Sequence, residues 1–309
     1  MRIFIGAKNC KGVFKRTIVT IGNFDGVHLG HQEILKLMNK ERDQLGIETL
    51  LYTFEPHPIR VLFPEKDFFV LTPFEEKMEL LKGCGIDNVV CETFTPEFSQ
   101  TEPEDFIKDI LCDIFKMKKL FIGSDFRFGF RARGDISLMK DFSITHGFDV
   151  ESVSPITING RIVSSSLIRD LLREGRVREA SDFLGRYFSI KTKIIKGSGI
   201  GKGLGIPTAN CELRKDLHMR DGVYAVKVEV KGGLRMGVLS FGGKPTFGID
   251  EKSMEVHIMD FNDDIYGEVI KIHFVERLRD IVSFSSVEEL KREILRDIDK
   301  ARSLLQNFS

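Results

Sequence analysis

A chain of 309 residues, 42% of them hydrophobic and 30% charged, has the composition of a globular protein and the length for two domains of roughly 100–200 residues each. Forty-six basic residues balance 46 acidic ones, so no global field draws the chain to nucleic acid or an acidic membrane, and any anion site has to be built locally. Cys10, Cys84, Cys91, Cys112 and Cys211 supply neither a disulfide framework nor a C-x-x-C metal pair, the N-terminus lacks a signal-peptide apolar stretch, and no window reaches the roughly 18 apolar residues of a membrane span. A cytoplasmic protein without membrane or nucleic-acid partners is expected.

From residue 17, short β-rich runs (TIVTIG, ETLLYTF, NVVCET, KLFIG, FDVESVSPI) alternate with helical segments, the rhythm of βαβ units around a parallel sheet. Within this half, TEPEDFIKDILCDIF carries Phe106, Ile107, Ile110, Leu111, Ile114 and Phe115 at helical spacing, with Thr101 and Glu104 placed as a capping box. SSSLIRDLLREG and VREASDFLG read as two further helices, each ending in glycine. Gly185 is the predicted boundary between a domain of residues 1–185 and one of residues 186–309. Beyond it YFSIKTKII, GVYAVKVEV, LRMGVLSFGG, MEVHIMDF and EVIKIHFVERL, with no helix between them, predict an antiparallel sheet or small barrel. A last helix from about Val287, capped by Ser285 or Ser286, places Val287, Leu290, Ile294, Ile298, Ala301 and Leu305 on one face, which is expected to cover the barrel.

The chemistry concentrates in a few stretches. In GNFDGVHLGHQ, at a strand-to-helix turn, Gly22, Gly26 and Gly30 permit close backbone approach where free N–H groups and partial positive charge make a phosphate seat. His28 and His31, three residues apart, share a face of the first helical turn, either as caps or as groups aimed at whatever the helix N-terminus holds. FEPHP sets His57 between prolines, and GSDFRFGFRARG carries Asp125 and Arg127; both follow strands, where open α/β sheets bind ligands. SSSLIRD opens a helix with Ser164, Ser165 and Ser166 and puts Arg169 one turn in, where it could hold phosphate. Each of these three also has a loop or capping explanation.

A second cluster begins with KGSGIGKGLGIPTAN. Only three residues separate Gly197 from Gly201-Lys202, and Gly203 follows where Walker A needs Ser or Thr, so that motif fails and a glycine hairpin is the plain reading. PTAN shifts the balance, because the Thr208 hydroxyl and the Asn210 amide oxygen are hard ligands suited to Mg²⁺. MEVHIMDF alternates, with Met254, Val256 and Ile258 on one strand face and Glu255, His257 and Met259 on the other. Glu255 is thus either a solvated carboxylate or a base facing a cleft, and spacing leaves both open.

Taken together and in this order, GNFDGVHLGHQ, FEPHP, GSDFRFG, SSSLIRDLLREG, GIPTAN, GVYAV, GGKPTFG, MEVHIMDF and IYGE resemble the bacterial bifunctional riboflavin kinase/FAD synthetases over nearly the whole chain. The resemblance implies an α/β nucleotidyltransferase domain, a Rossmann-like parallel sheet of the HxGH type, followed by an antiparallel β-barrel kinase domain with a C-terminal helix. It implies ATP-dependent phosphorylation of riboflavin to FMN in the barrel and adenylylation of FMN to FAD in the first domain, with Mg²⁺ and release of pyrophosphate. His28 and His31 match the family's phosphate-binding histidines. Asn23, Gly26, His57, Asp125, Ser164, Ser165 and Arg169 match nucleotide and flavin positions, and Gly201 and Lys202 the kinase's glycine loop. Thr208 and Asn210 match the Mg²⁺ ligands and Glu255 the base. Differences from the family pattern are Ser166 for Thr, Lys202 and Lys244 for Arg, Ser240 for Asn, Ile206 for Phe and Ile281 for an acidic residue. An adenylyltransferase with an inactive flavin-binding barrel, or a flavin or nucleotide sensor without turnover, are the competing expectations. A monomer or weak homo-oligomer is expected.

Overall fold

The structure, a computed structural model, describes residues 1–197, 203 and 205–306, and divides into two compact units, Met1–Ser165 and Ser166–Ser309. That division falls before Gly185, because the intervening helices join the second unit.

In the first unit six strands, β1 (Arg2–Ile5), β2 (Thr17–Ile21), β3 (Glu48–Glu55), β4 (Asn88–Thr93), β5 (Met117–Gly123) and β6 (Asp149–Val153), form a parallel sheet in the order β1-β4-β3-β2-β5-β6. The connecting helices are α1 (Leu29–Leu45), α2 (Pro58–Leu62), α3 (Phe74–Gly83), α4 (Pro103–Asp105), which runs on as a π-helical segment (Phe106–Ile114), and α5 (Ile136–His146). Alternation along the strands sorts the core into two layers. Ile18, Leu51, Val89 and Phe121 pack with Leu35 and Met38 of α1 and with Met78 and Leu81 of α3. On the opposite face Val19, Leu50, Tyr52, Val90 and Leu120 pack with Phe106, Ile107, Leu111 and Met139. A short ribbon, β7 (Thr157–Ile158) with β8 (Arg161–Ile162), closes the unit.

Two details differ from expectation. No capping box forms at Thr101: Glu102 is the N-cap residue without a side-chain bond, and the Thr101 hydroxyl donates instead to the Phe98 carbonyl at 2.7 Å. Pro103 at the first helical position needs no donor satisfied there, which removes part of the box's purpose. The unanticipated strand β1 is a four-residue edge strand with Ile3 and Ile5 exposed, so it carries no buried alternation to read.

In the second unit α6 (Ser165–Arg173) and α7 (Val177–Leu184) lead to six antiparallel strands. These are β9 (Phe188–Ile195), β10 (Ala209–Cys211), β11 (Gly222–Val230), β12 (Gly233–Lys244), β13 (Ile249–Ile258) and β14 (Val269–Arg279), closed into a barrel in the order β10-β13-β12-β11-β14-β9. Helix α7 packs on β9 and β14, which assigns it to this unit. Closure depends on β10, whose three residues are too few to show a period in sequence. Helix α8 (Val287–Gln306) covers Val223, Ala225, Val238 and Met259 with Ala301 and Leu305. Ser286 is its cap, its hydroxyl accepting from the Glu289 N–H at 3.1 Å. Val287 is exposed rather than buried; the covered face instead includes Asp297, whose carboxylate is paired with Arg279 at 2.8 Å.

Candidate active sites

In the first unit β2 has β3 on one side and β5 on the other, and the chain order reverses between β2 and β5, so a ligand crevice is expected beyond their carboxyl ends. The turn leaving β2 there has Phe24 at φ 50°, Gly26 at 87° and Val27 at 40°. Two L-residues in the left-handed region are a strain that persists only where the surroundings over-determine the backbone. Four hydrogen bonds do so. The Asp25 carboxylate accepts from the Leu71 and Thr72 N–H groups at 3.1 and 3.0 Å, the Ser165 hydroxyl donates to the Asp25 carbonyl at 2.8 Å, and Lys77 Nζ lies 3.3 Å from the Asn23 carbonyl.

His28 is the N-cap of α1, its Nδ1 accepting from the His31 N–H at 3.3 Å, and the two imidazoles stack with centroids 3.6 Å apart. Phe24 backs the His31 ring at 4.6 Å. Capping and presentation of the paired rings at a helix N-terminus therefore coexist. Gly30 is needed for this: a Cβ there would stand 3.2 Å from two atoms of the His28 ring. His57, following β3, caps α2 by accepting from the Ile59 N–H at 3.3 Å and is buried. Asp125, following β5, is exposed beside the same sheet edge, while Arg169 is buried in α6 of the second unit.

In the barrel, register decides more than the motif did. Asn210 of β10 and Ser240 of β12 both stand opposite Glu255 of β13, and residues directly opposite on antiparallel strands project from the same face. Glu255 is not a solvated carboxylate: it lines a cavity with Thr208, Ser240, Lys244, His257 and Leu290 of α8, and Oε1 accepts from Lys244 Nζ at 2.5 Å. A neighbouring cavity shares Thr208 and adds Asn210, Gly197 and Tyr266. Only glycine fits at position 197, where a Cβ would fall 1.9 Å from Asn210 Nδ2. Gly201 and Lys202 lie outside the described residues. Four positions that differ from the family pattern, Ile206, Ser240, Lys244 and Ile281, line the Glu255 cavity.

Lys77 and the Lys244 pairing were not singled out from the sequence. Lys77 had a signal: it stands four residues before Leu81 on the buried stripe of α3, a position where a lysine needs a partner.

Comparison with known proteins decides the family. A family model for FAD synthetase matches residues 11–167 and one for riboflavin kinase matches residues 184–305. A bifunctional riboflavin kinase/FMN adenylyltransferase of Buchnera aphidicola from Schizaphis graminum is 37% identical over 97% of both chains, and that of Escherichia coli K12 is 35% identical over 92% of this chain and 91% of its own. The chain belongs to the bifunctional riboflavin kinase/FMN adenylyltransferase family. This enzyme is a transferase that phosphorylates riboflavin with ATP in its C-terminal barrel and adenylylates FMN in its N-terminal domain. A crystal structure described as a macrolide-efflux protein from Streptococcus pneumoniae is similar to this chain, with a TM-score of 0.88, 28% identity and coverage of 98% of this chain and 99% of the other. Among the described residues no helix is long and apolar enough to cross a membrane.

Proposed function

We propose that the two reactions use two separate sites: the turn of residues 22–31 with His57, Asp125, Ser164 and Ser165 for adenylylation, to which Arg169 is assigned by its match to the family's segment alone, and the Glu255 cavity for phosphorylation. The placement of Glu255, opposite Asn210 in the strand register and in a cavity with Thr208, carries the kinase assignment. The stacked His28 and His31 at the head of α1 carry the other.

At the first site a phosphate oxygen of FMN attacks the α-phosphorus of ATP, the new P–O–P bond forms, and pyrophosphate leaves. The imidazoles and the positive N-terminal end of α1 would stabilise the charge that grows on the phosphates, and no covalent intermediate is required. At the second site Glu255 accepts the proton of the riboflavin 5′-hydroxyl as that oxygen bonds to the γ-phosphorus and ADP departs. With Oε1 held by Lys244, Oε2 is the oxygen for that proton.

The donor set fits Mg²⁺: Thr208 and Asn210 offer a hydroxyl and an amide oxygen, and the bare Gly197 leaves the Asn210 amide its room. When bound, the ion neutralises phosphate charge; Thr208 and Asn210 would hold it. Gly201 and Lys202 are assigned to phosphate binding by their match to the family's glycine loop. The functional boundary is proposed at Gly185, with each side carrying its own ATP site, in a cytoplasmic monomer or weak homo-oligomer that needs no nucleic acid or membrane. Chromatography of products from riboflavin, ATP and Mg²⁺, and in parallel from FMN, tests this reading. FAD from both supports two working sites, whereas FAD from FMN alone would remove the kinase assignment.

A further inference from the structure

Lys77 is 4% exposed on α3, yet its ammonium reaches two acceptors, the Asn23 carbonyl and the Thr53 hydroxyl oxygen, each at 3.3 Å. Thr53 itself, fully buried on β3, donates to the same Asn23 carbonyl at 3.1 Å. This is a closed arrangement of three groups beneath the strained turn that carries His28. A neutral amide could supply the same two donors without the cost of burying a charge, so hydrogen bonding alone does not explain lysine here. Burial pushes the ammonium below its usual range, while Cys91 on β4, Glu55 at the end of β3 and Asp25 on the turn act in the opposite sense. The turn above it is the one proposed to receive the most highly charged ligand of the reaction.

We infer that Lys77 is a positioning residue of the adenylyltransferase site, holding the Asn23 carbonyl in place while its buried positive charge favours the triphosphate of ATP and the departing pyrophosphate on the turn. The inference rests on the reading of residues 22–31 as the adenylylation site. Its physical basis is that a fixed cation in a water-poor surrounding acts on phosphate charge without having to reorganise.

The test uses the full-length enzyme with Lys77→Gln and Lys77→Met, measuring kcat and KM for ATP and for FMN, with riboflavin phosphorylation by the same molecules as an internal control. Loss of a charged donor predicts an ATP KM raised about tenfold in Lys77→Gln, with the FMN KM and the kinase rate unchanged. A scaffold role lowers the fraction of active molecules and hence kcat alone, so an unchanged ATP KM in Lys77→Gln overturns the inference whatever happens to kcat. Should Lys77→Met fail to fold, Lys77→Gln, which keeps a donor, still decides. A His28→Ala variant separates the two readings. If it keeps wild-type adenylylation the site itself has been misplaced, whereas an inactive His28→Ala beside an unaltered Lys77→Gln removes Lys77 alone.

Discussion

Lys244 Nζ lies 2.5 Å from Glu255 Oε1, joining the end of β12 to the middle of β13 across the wall of one cavity. Both side chains are mostly withdrawn from solvent, at 19% and 15% exposure, so the contact is a charge-assisted bond in a partly dry site and exceeds an exposed pair in strength. It fixes the rotamer of the carboxylate and, under the proposed mechanism, leaves Oε2 for the substrate hydroxyl. Lys244→Met should therefore lower the rate of FMN formation by about tenfold or more, while Lys244→Arg keeps most of it. Steady-state kinetics with riboflavin as the varied substrate would show this, and full activity in Lys244→Met would mean the carboxylate orients itself.

Replacing Glu255 by Gln keeps an oxygen for Lys244 and removes the proposed proton acceptor. Riboflavin phosphorylation should fall by roughly 10²–10⁴, with adenylylation of supplied FMN untouched. FMN production at the wild-type rate by this variant would take Glu255 out of the mechanism.

The glycine between the histidines offers a subtler perturbation of the other site. In Gly30→Ala the new methyl would meet the His28 ring at 3.2 Å, so the stacked pair has to shift by a few tenths of an ångström. FAD formation from FMN should drop by about tenfold, less than the roughly 10²–10³ expected when His28 itself becomes Ala. Parallel FMN-to-FAD assays of the two variants should preserve that order, and an unperturbed Gly30→Ala would show that the imidazole geometry is not critical.

Asp297 and Arg279 make a prediction about stability. Burial pushes the Asp297 carboxyl above its usual range even though three hydrogen bonds from Arg279 work against the shift. A carboxyl raised in the folded state stabilises the fold most when protonated, below about pH 3.8, and that contribution is lost as pH rises through the folded value. At neutral pH the ion pair therefore holds a charge that would rather be in water. Asp297→Ala, which strands Arg279, should cost about 3 kcal/mol in urea unfolding, whereas Asp297→Leu combined with Arg279→Leu should recover most of it. A double variant no better than Asp297→Ala would show the pair to be a net source of stability.

Much of this molecule is written locally. β-rich runs alternating with helical segments settled the parallel sheet, β-rich runs without helices between them the barrel, and helical apolar spacing the covering helix, since each depends on which residues a short segment must hide from water. The histidine pair was likewise visible, because a helix N-terminus and a three-residue spacing are local facts. Tertiary structure alone decided the rest. Whether Glu255 faced solvent or a cleft depended on α8 covering that side of the barrel; its neighbours Asn210 and Ser240 are set by strand register, and Lys244, opposite Ile249, reaches it through its side chain. Lys77 and Asn23 stand 54 positions apart and meet only because α3 packs on the face of the sheet that holds Ile18 and Leu51, below the turn that leaves β2. Pairings of this kind arise from chain closure over long separations, and no single segment carries a pattern for a contact whose other half lies elsewhere.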